Sequence, residues 1–299
     1  MLVLPACKGG ANAEAAKLIP DEAEMIIGMN PKAITESELY KAFGSEMEKE
    51  ADFQEAMSAF KDCGIEPHNI EAVVIGIKAA SEDFVAVVGA EGIGKDDTAS
   101  CIIKKIQKMN GDEEVADVTK DSGHKIIQFT DGRAYLVNDN MLALATTAWE
   151  DKIGELIDGK GTPAVDNSKK ELYGKVDSKA AVWFLAEIPS EMAAGAAMIA
   201  PEASKVKTAI GSLDFSKGVA VNVVAGFGSA EDAKATAESA QKQFDEVKGM
   251  AALIGMSSAA ESVKIEAAGS DVKVSASASM DEIKALQAMG AEGAAPAGG

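Results

Sequence analysis

The run EAVVIGIKAASEDFVAVVGA, residues 71–90, decides how this chain reads. It holds two short apolar stretches, 71–79 and 83–90, dense in valine and isoleucine and separated by polar residues. Apolar runs under ten residues with β-branched side chains predict strands, since a helix would need a longer amphipathic repeat. Beyond them, Glu91, Gly92, Ile93 and Gly94 read as a turn into a helix from about Asp96, whose apolar stripe is Ile102, Ile103, Ile106 and Met109. Upstream, 24–29 reads as a strand closed by Asn30 and Pro31. Thr35 with Glu38 reads as a capping box for a helix toward Phe43, and Ser45 with Glu48 as another for a helix carrying Phe53, Met57 and Phe60 to Gly64. Downstream, 115–145 is strand-rich, with turns at Asp121, Ser122 and Gly123, at Asp131 and Gly132, and at 138–140. A helix over 147–157 should bury Trp149, Ile153 and Ile157.

The second half repeats this order. Residues 180–188 predict a strand with Val182, Phe184, Ala186 and Ile188 on one side, and Ser190 opens an alanine- and methionine-rich helix. Strands follow at 208–215 and 218–227; Ser229 with Asp232 caps a long helix; 262–267 and 271–278 alternate apolar and polar residues around Gly269; 280–289 is a closing helix. A spacing of about 135 residues relates Gly76 to Gly211 and the Gly92-Ile93-Gly94 turn to Gly226-Phe227-Gly228, and the first half carries an extra hairpin near Arg133. The fold expected is α+β: two tandem related units, each a largely antiparallel sheet covered by helices. The expected division is a signal remnant and flexible tether at 1–17, a first repeat at 18–160, a second at 161–289 and a disordered tail at 290–299.

The charge balance is 29 basic against 48 acidic residues, a net of −19, which repels nucleic acid and anionic headgroups. Arg133 is the sole arginine, so bidentate capture of phosphate or carboxylate is scarce. With 47% hydrophobic residues over 299 positions the chain has ample material for a core, and no run reaches the roughly 18 apolar residues of a membrane span.

Leu4, Pro5, Ala6 and Cys7 resemble the lipobox of bacterial lipoproteins, in which an aliphatic residue stands three places before the acylated cysteine and a small residue just before it. The resemblance implies an export signal ending here, a lipid on Cys7, and a place in the cell envelope, at the inner or outer membrane and facing periplasm or exterior. Leu18, Ile19, Pro20, Asp21, Glu22 and Ala23, with Ser37 and Leu39 farther on, loosely resemble uncharacterised duplicated lipoproteins of myxobacteria and related bacteria. That second resemblance implies an exported, duplicated protein without assigned chemistry.

Catalytic signals are sparse. Gly89 to Lys95 has the strand, glycine turn and helix of a phosphate-binding loop, with Gly89, Gly94 and Lys95 as the candidate residues. Asp96 and Asp97 stand where the magnesium-binding hydroxyl belongs, and the second-half turn lacks the lysine, which favours a structural helix cap. His68 and His124 have no second histidine at metal spacing. Cys63 and Cys101 allow either a disulfide or two small buried thiols, the latter favoured. Met192, Met198, Met250 and Met256 read as core packing, with a flexible apolar pocket as the alternative. The expected role is non-catalytic binding or structure in the envelope, without metal or cofactor, anchored by lipid and open to an envelope protein partner. A periplasmic carrier of an apolar ligand and an enzyme using the phosphate loop are the alternatives.

Overall fold

A computed structural model describes residues 10–109, 111, 117–190, 193 and 204–293. It is an α+β structure with a large antiparallel sheet and helices. The described chain divides into two compact units: one holds the residues up to Thr35 and Phe43–Leu185, the other Glu36–Ala42 and the residues from Ala186 onward.

In the first unit, helix α1 (Ala11–Ala16) precedes strand β1 (Met25–Met29) and the short helix α2 (Pro31–Thr35). Helix α3 (Glu38–Met47), which belongs to this unit only from Phe43 on, and helix α4 (Ala51–Lys61) lead to strands β2 (Ile70–Lys78) and β3 (Asp83–Ala90), then helix α5 (Asp96–Met109). Strands β4 (Thr119–Asp121), β5 (His124–Phe129), β6 (Gly132–Asn138) and β7 (Met141–Thr146) follow, with helices α6 (Glu150–Ile157) and α7 (Lys170–Tyr173) and strand β8 (Val182–Glu187). The strand order is β8-β1-β2-β3-β7-β6-β5-β4, and the pairings from β1 through β4 are antiparallel.

Alternation along these strands sends side chains to two faces, and both are covered. On one face Val88, Ala90, Ile127, Ala134, Leu136 and Leu142 meet Ile102 and Ile103 of α5, with Phe60 of α4 packed beside them. On the other, Ala15 and Ala16 of α1 are fully buried, as is Ile153 of α6. Each fully buried isoleucine here stabilises the unit by about 1.5–3 kcal/mol relative to exposure. Gly28 of β1 lies where a Cβ would stand 2.0 Å from the Trp183 ring, so only glycine lets that indole reach full burial.

Several expectations change. The supposed tether at 10–17 is largely helix: its small side chains cannot build a core alone, but they let α1 lie directly on β2 and β3. The expected boundary near residue 160 lies inside the first unit, because Ala164 and Val165 are buried and the Ala164 N–H donates to Ile19 O at 2.9 Å. Asp21 accepts from the Ser168 N–H and hydroxyl and from Asn167 there. Burial works against this carboxyl's charge, but those hydrogen bonds outweigh it and hold its pKa below the usual range. The cap of α3 is Ser37, whose hydroxyl accepts the Tyr40 N–H at 3.0 Å; Thr35 bonds back to Pro31 O instead, closing α2. Ser45 lies inside α3, so no helix starts there. On β8 the deepest side chains are Trp183 and Leu185, on the side opposite Val182 and Phe184. Met109 is 41% exposed, so the α5 stripe ends before it.

The second unit carries β9 (Val206–Asp214), β10 (Gly218–Phe227), the long helix α8 (Ala230–Leu253), the short helix α9 (Ser257–Ser262), β11 (Lys264–Ala268), β12 (Asp271–Ser279) and α10 (Met280–Gly293). Its strands run in the order β11-β12-β10-β9, all antiparallel. Ala233 and Ala237 of α8 cover Phe227 and Val272, with Val274 and Ile265 alongside. Ser229 caps α8 as expected, its hydroxyl accepting the Asp232 N–H and donating to the Asp232 carboxylate. Ser279 and Glu282 form a capping box at α10 that sequence reading missed. The tail begins later than expected, since α10 runs to Gly293.

Candidate docking groove in the second unit

The residues singled out from sequence scatter. Cys7, the expected lipidation site, lies outside the described residues, as do Met192 and Met198. Met250 is 65% exposed on α8, so it is not packed in a core.

The phosphate-loop reading fails on its hydrogen bonds. A loop that cradles phosphate must aim free backbone N–H groups at the ligand. Here the Gly92 N–H donates to Asn140 Oδ1 at 2.9 Å and the Gly94 N–H to Asp139 O at 3.1 Å, so the turn between β6 and β7 already takes both. A Cβ on Gly94 would stand 1.8 Å from Asn138 O, which explains the glycine as a backbone-to-backbone contact. Gly89 belongs to β3, and the Lys95 side chain lies within 4 Å of the Cβ position at Gly92, folded over its own turn. The proposed match to the second half also shifts, since Gly226 and Phe227 are the last residues of β10 and not a turn.

Arg133 is committed as well. Its guanidinium meets Asp121 at 2.9 Å and Glu150 at 3.4 Å, and Nε donates to Gln128 Oε1 at 3.0 Å. The Tyr135 hydroxyl donates to Glu150 O, and burial raises its pKa. This sole arginine fastens β4 to β6 and α6, and sequence gave no sign of its partners. His124 lies 3.4 Å from Asp158 and edge-on to Tyr135. Among the described residues no group of three histidine, cysteine or acidic side chains is placed to hold a metal.

Cys63 and Cys101 are joined by a disulfide, with Cα atoms 5.6 Å apart. The favoured free-thiol reading is thereby corrected: the turn after α4 sets Cys63 against α5, a proximity that no sequence spacing reveals.

An open groove of about 790 Å³ lies between α8 and β11, inside the second unit. Ala237, Ile265 and Ala267 form its apolar floor, while Lys234, Glu238, Gln241, Lys242, Asp245 and Glu246 supply its helix wall. The mixed charges and open side suit a polypeptide surface better than an enclosed apolar ligand. The floor strand is also the last in its sheet among the described residues. The Phe227 N–H donates to Ser270 O, so even-numbered residues of β12 face β10 and odd-numbered ones face β11. In the β11–β12 register, Lys264 with Ser275, Glu266 with Lys273 and Ala268 with Asp271 are therefore the hydrogen-bonded pairs. The backbone N–H and C=O of Ile265 and Ala267 point the other way, into the groove's open side.

No family model and no curated protein matches the chain. Its shape does find counterparts among solved structures of TP0453. Crystal form III gives a TM-score of 0.54 at 8% identity, covering 92% of this chain and 98% of that one. Crystal form I gives 0.50 at 11% identity, over 93% and 98%. The likeness is one of fold alone.

Proposed function

We propose that the protein is an exported envelope protein, lipid-anchored at Cys7, that works by binding through the α8–β11 groove and not by catalysis. The observation that carries the reading is the Cys63–Cys101 bridge, because disulfides persist in exported proteins and are rare where cytosolic thiol systems operate. The lipobox-like stretch before Cys7 supports the anchor. Among the described residues no helix is long and apolar enough to cross a membrane, so attachment through a lipid is the mode this sequence suits.

The two units are, in this reading, copies of one strand-strand-helix-strand-strand-helix element. Hairpin β2–β3, α5, hairpin β6–β7 and α6 correspond to β9–β10, α8, β11–β12 and α10, with β3 paired to β7 as β10 is to β12. Val85 lies between Gly76 and Ala145 as Val223 lies between Gly211 and Val274. Expression of the gene with its upstream region, followed by membrane fractionation and mass spectrometry, tests the function. Acylated Cys7 in the membrane fraction, lost on Cys7→Ala, is the expected result; an unacylated cytosolic product with reduced Cys63 and Cys101 overturns it.

A further inference from the structure

We propose that β11 pairs edge to edge with β11 of a second copy of this chain, antiparallel and centred on Ile265, so that the groove closes as the seam of a homodimer. The inference rests on the reading of that groove as a docking surface and names what docks there.

An exposed edge strand is a template for another strand, and this one offers outward N–H and C=O groups at Ile265 and Ala267. Its register with a second copy is selected by charge. With Ile265 opposite Ile265 of the other copy, Lys264 of each chain stands opposite Glu266 of the other, giving two opposite-charge pairs in the closer, non-hydrogen-bonded positions. The next register in which outward-facing residues still pair, Ile265 opposite Ala267, sets Glu266 against Glu266 and is repulsive. One strand thus carries a self-complementary pattern in one alignment and a penalty in its neighbour.

The helix above it repeats the pattern. Lys234, Glu238, Lys242 and Glu246 recur every fourth residue along the groove wall of α8, alternating in sign. A two-fold axis through the Ile265 pair, perpendicular to the sheet, sets the two α8 helices antiparallel on the same face. A centre near residue 240 then opposes Lys234 with Glu246 and Glu238 with Lys242, from both chains. Strand and helix thus each carry a charge pattern that is self-complementary about a two-fold axis, although Lys234 and Glu238 also pair within one chain at 3.8 Å. The net charge of −19 on each copy opposes approach at low salt, so pairing should be strongest near physiological ionic strength, where the screening length is about 8 Å.

The test is sedimentation equilibrium of the full chain, made as Cys7→Ser so that a lipid cannot aggregate it. The expected mass is twice the 30.8 kDa of the chain at high concentration. Lys264→Glu alone faces acid with acid and Glu266→Lys alone faces lysine with lysine, each raising the dissociation constant about tenfold or more. Mixing those two single variants restores opposite charges at both positions, and a heterodimer should form where neither variant self-pairs. Ala267→Pro removes one outward N–H without touching the β12 pairing, and should weaken the dimer while circular dichroism stays unchanged. A wild-type protein that stays monomeric overturns the proposal and leaves acylation at Cys7 standing. A dimer indifferent to all three substitutions, or no heterodimer from the mixture, overturns it equally.

Discussion

Breaking the Cys63–Cys101 bridge gives the sharpest test of how the first unit is held. The bridge closes a span of 38 residues that includes β2, β3 and the start of α5. In the chain-entropy account, a loop of that length removes roughly 13 cal/mol/K from the unfolded ensemble, or about 4 kcal/mol at 25 °C. The neighbouring Lys105–Asp62 pair is half exposed and adds little. The Cys63→Ala/Cys101→Ala variant should therefore unfold about 4 kcal/mol more readily, near three powers of ten in the folded-to-unfolded ratio. The chain's two tryptophans, Trp149 and Trp183, are both buried in this unit, so urea unfolding followed by fluorescence reports on it directly. Equal midpoints for the parent and the variant would refute the reasoning. So would alkylation of both cysteines in unreduced protein.

Three further outcomes are expected. Gly94→Ala should cost about 3 kcal/mol or more, because its Cβ would meet the Asn138 carbonyl of the neighbouring turn, whereas Lys95→Ala should change stability by under about 0.5 kcal/mol; micromolar ATP binding by calorimetry, lost in Lys95→Ala, would revive the phosphate loop. Ser229→Ala should lower the melting free energy of the second unit by about 1 kcal/mol, since its hydroxyl satisfies the Asp232 N–H at the start of α8. Stability should also fall on acidification. Backbone N–H groups of Ser279 and Ala259 hold Glu282 below its ordinary 4.5, and Ser168 and Asn167 hold Asp21 below 3.8 against its burial. Both groups are lowered on folding, so their contribution is complete above the unfolded values and is lost as pH drops through the folded ones. Urea midpoints at pH 7 and pH 3 check the sign, and a midpoint that rises in acid contradicts it.

Much of the element order was legible because its signals are local. The runs at 71–79 and 83–90 became β2 and β3 within a residue, and Gly123 and Gly269 in their turns adopt the positive φ that glycine favours. Errors fell where two local signals compete. Thr35 and Ser37 are both plausible caps, and only the Tyr40 N–H shows which is used. An alanine-rich stretch such as 11–16 has no amphipathic signal of its own, and the helix there exists because a sheet face is present to receive it. The docking groove was invisible for the same reason: Ala237 and Ile265 are 28 positions apart and meet only across a helix and a strand.

By itself, then, the sequence determined what depends on near neighbours: strand and helix periods, the Ser229 cap, the acidic surface charge, and the lipobox-like resemblance around Cys7. Tertiary structure alone decided what depends on distant groups meeting. It put Cys63 against Cys101, used up the N–H groups of Gly92 and Gly94 on the turn at 138–140, locked Arg133 between Asp121 and Glu150, and, among the described residues, left β11 as the last strand of its sheet beside α8. Local propensities act over a few residues, whereas pairing, burial and an unpaired strand edge are properties of the assembled sheet.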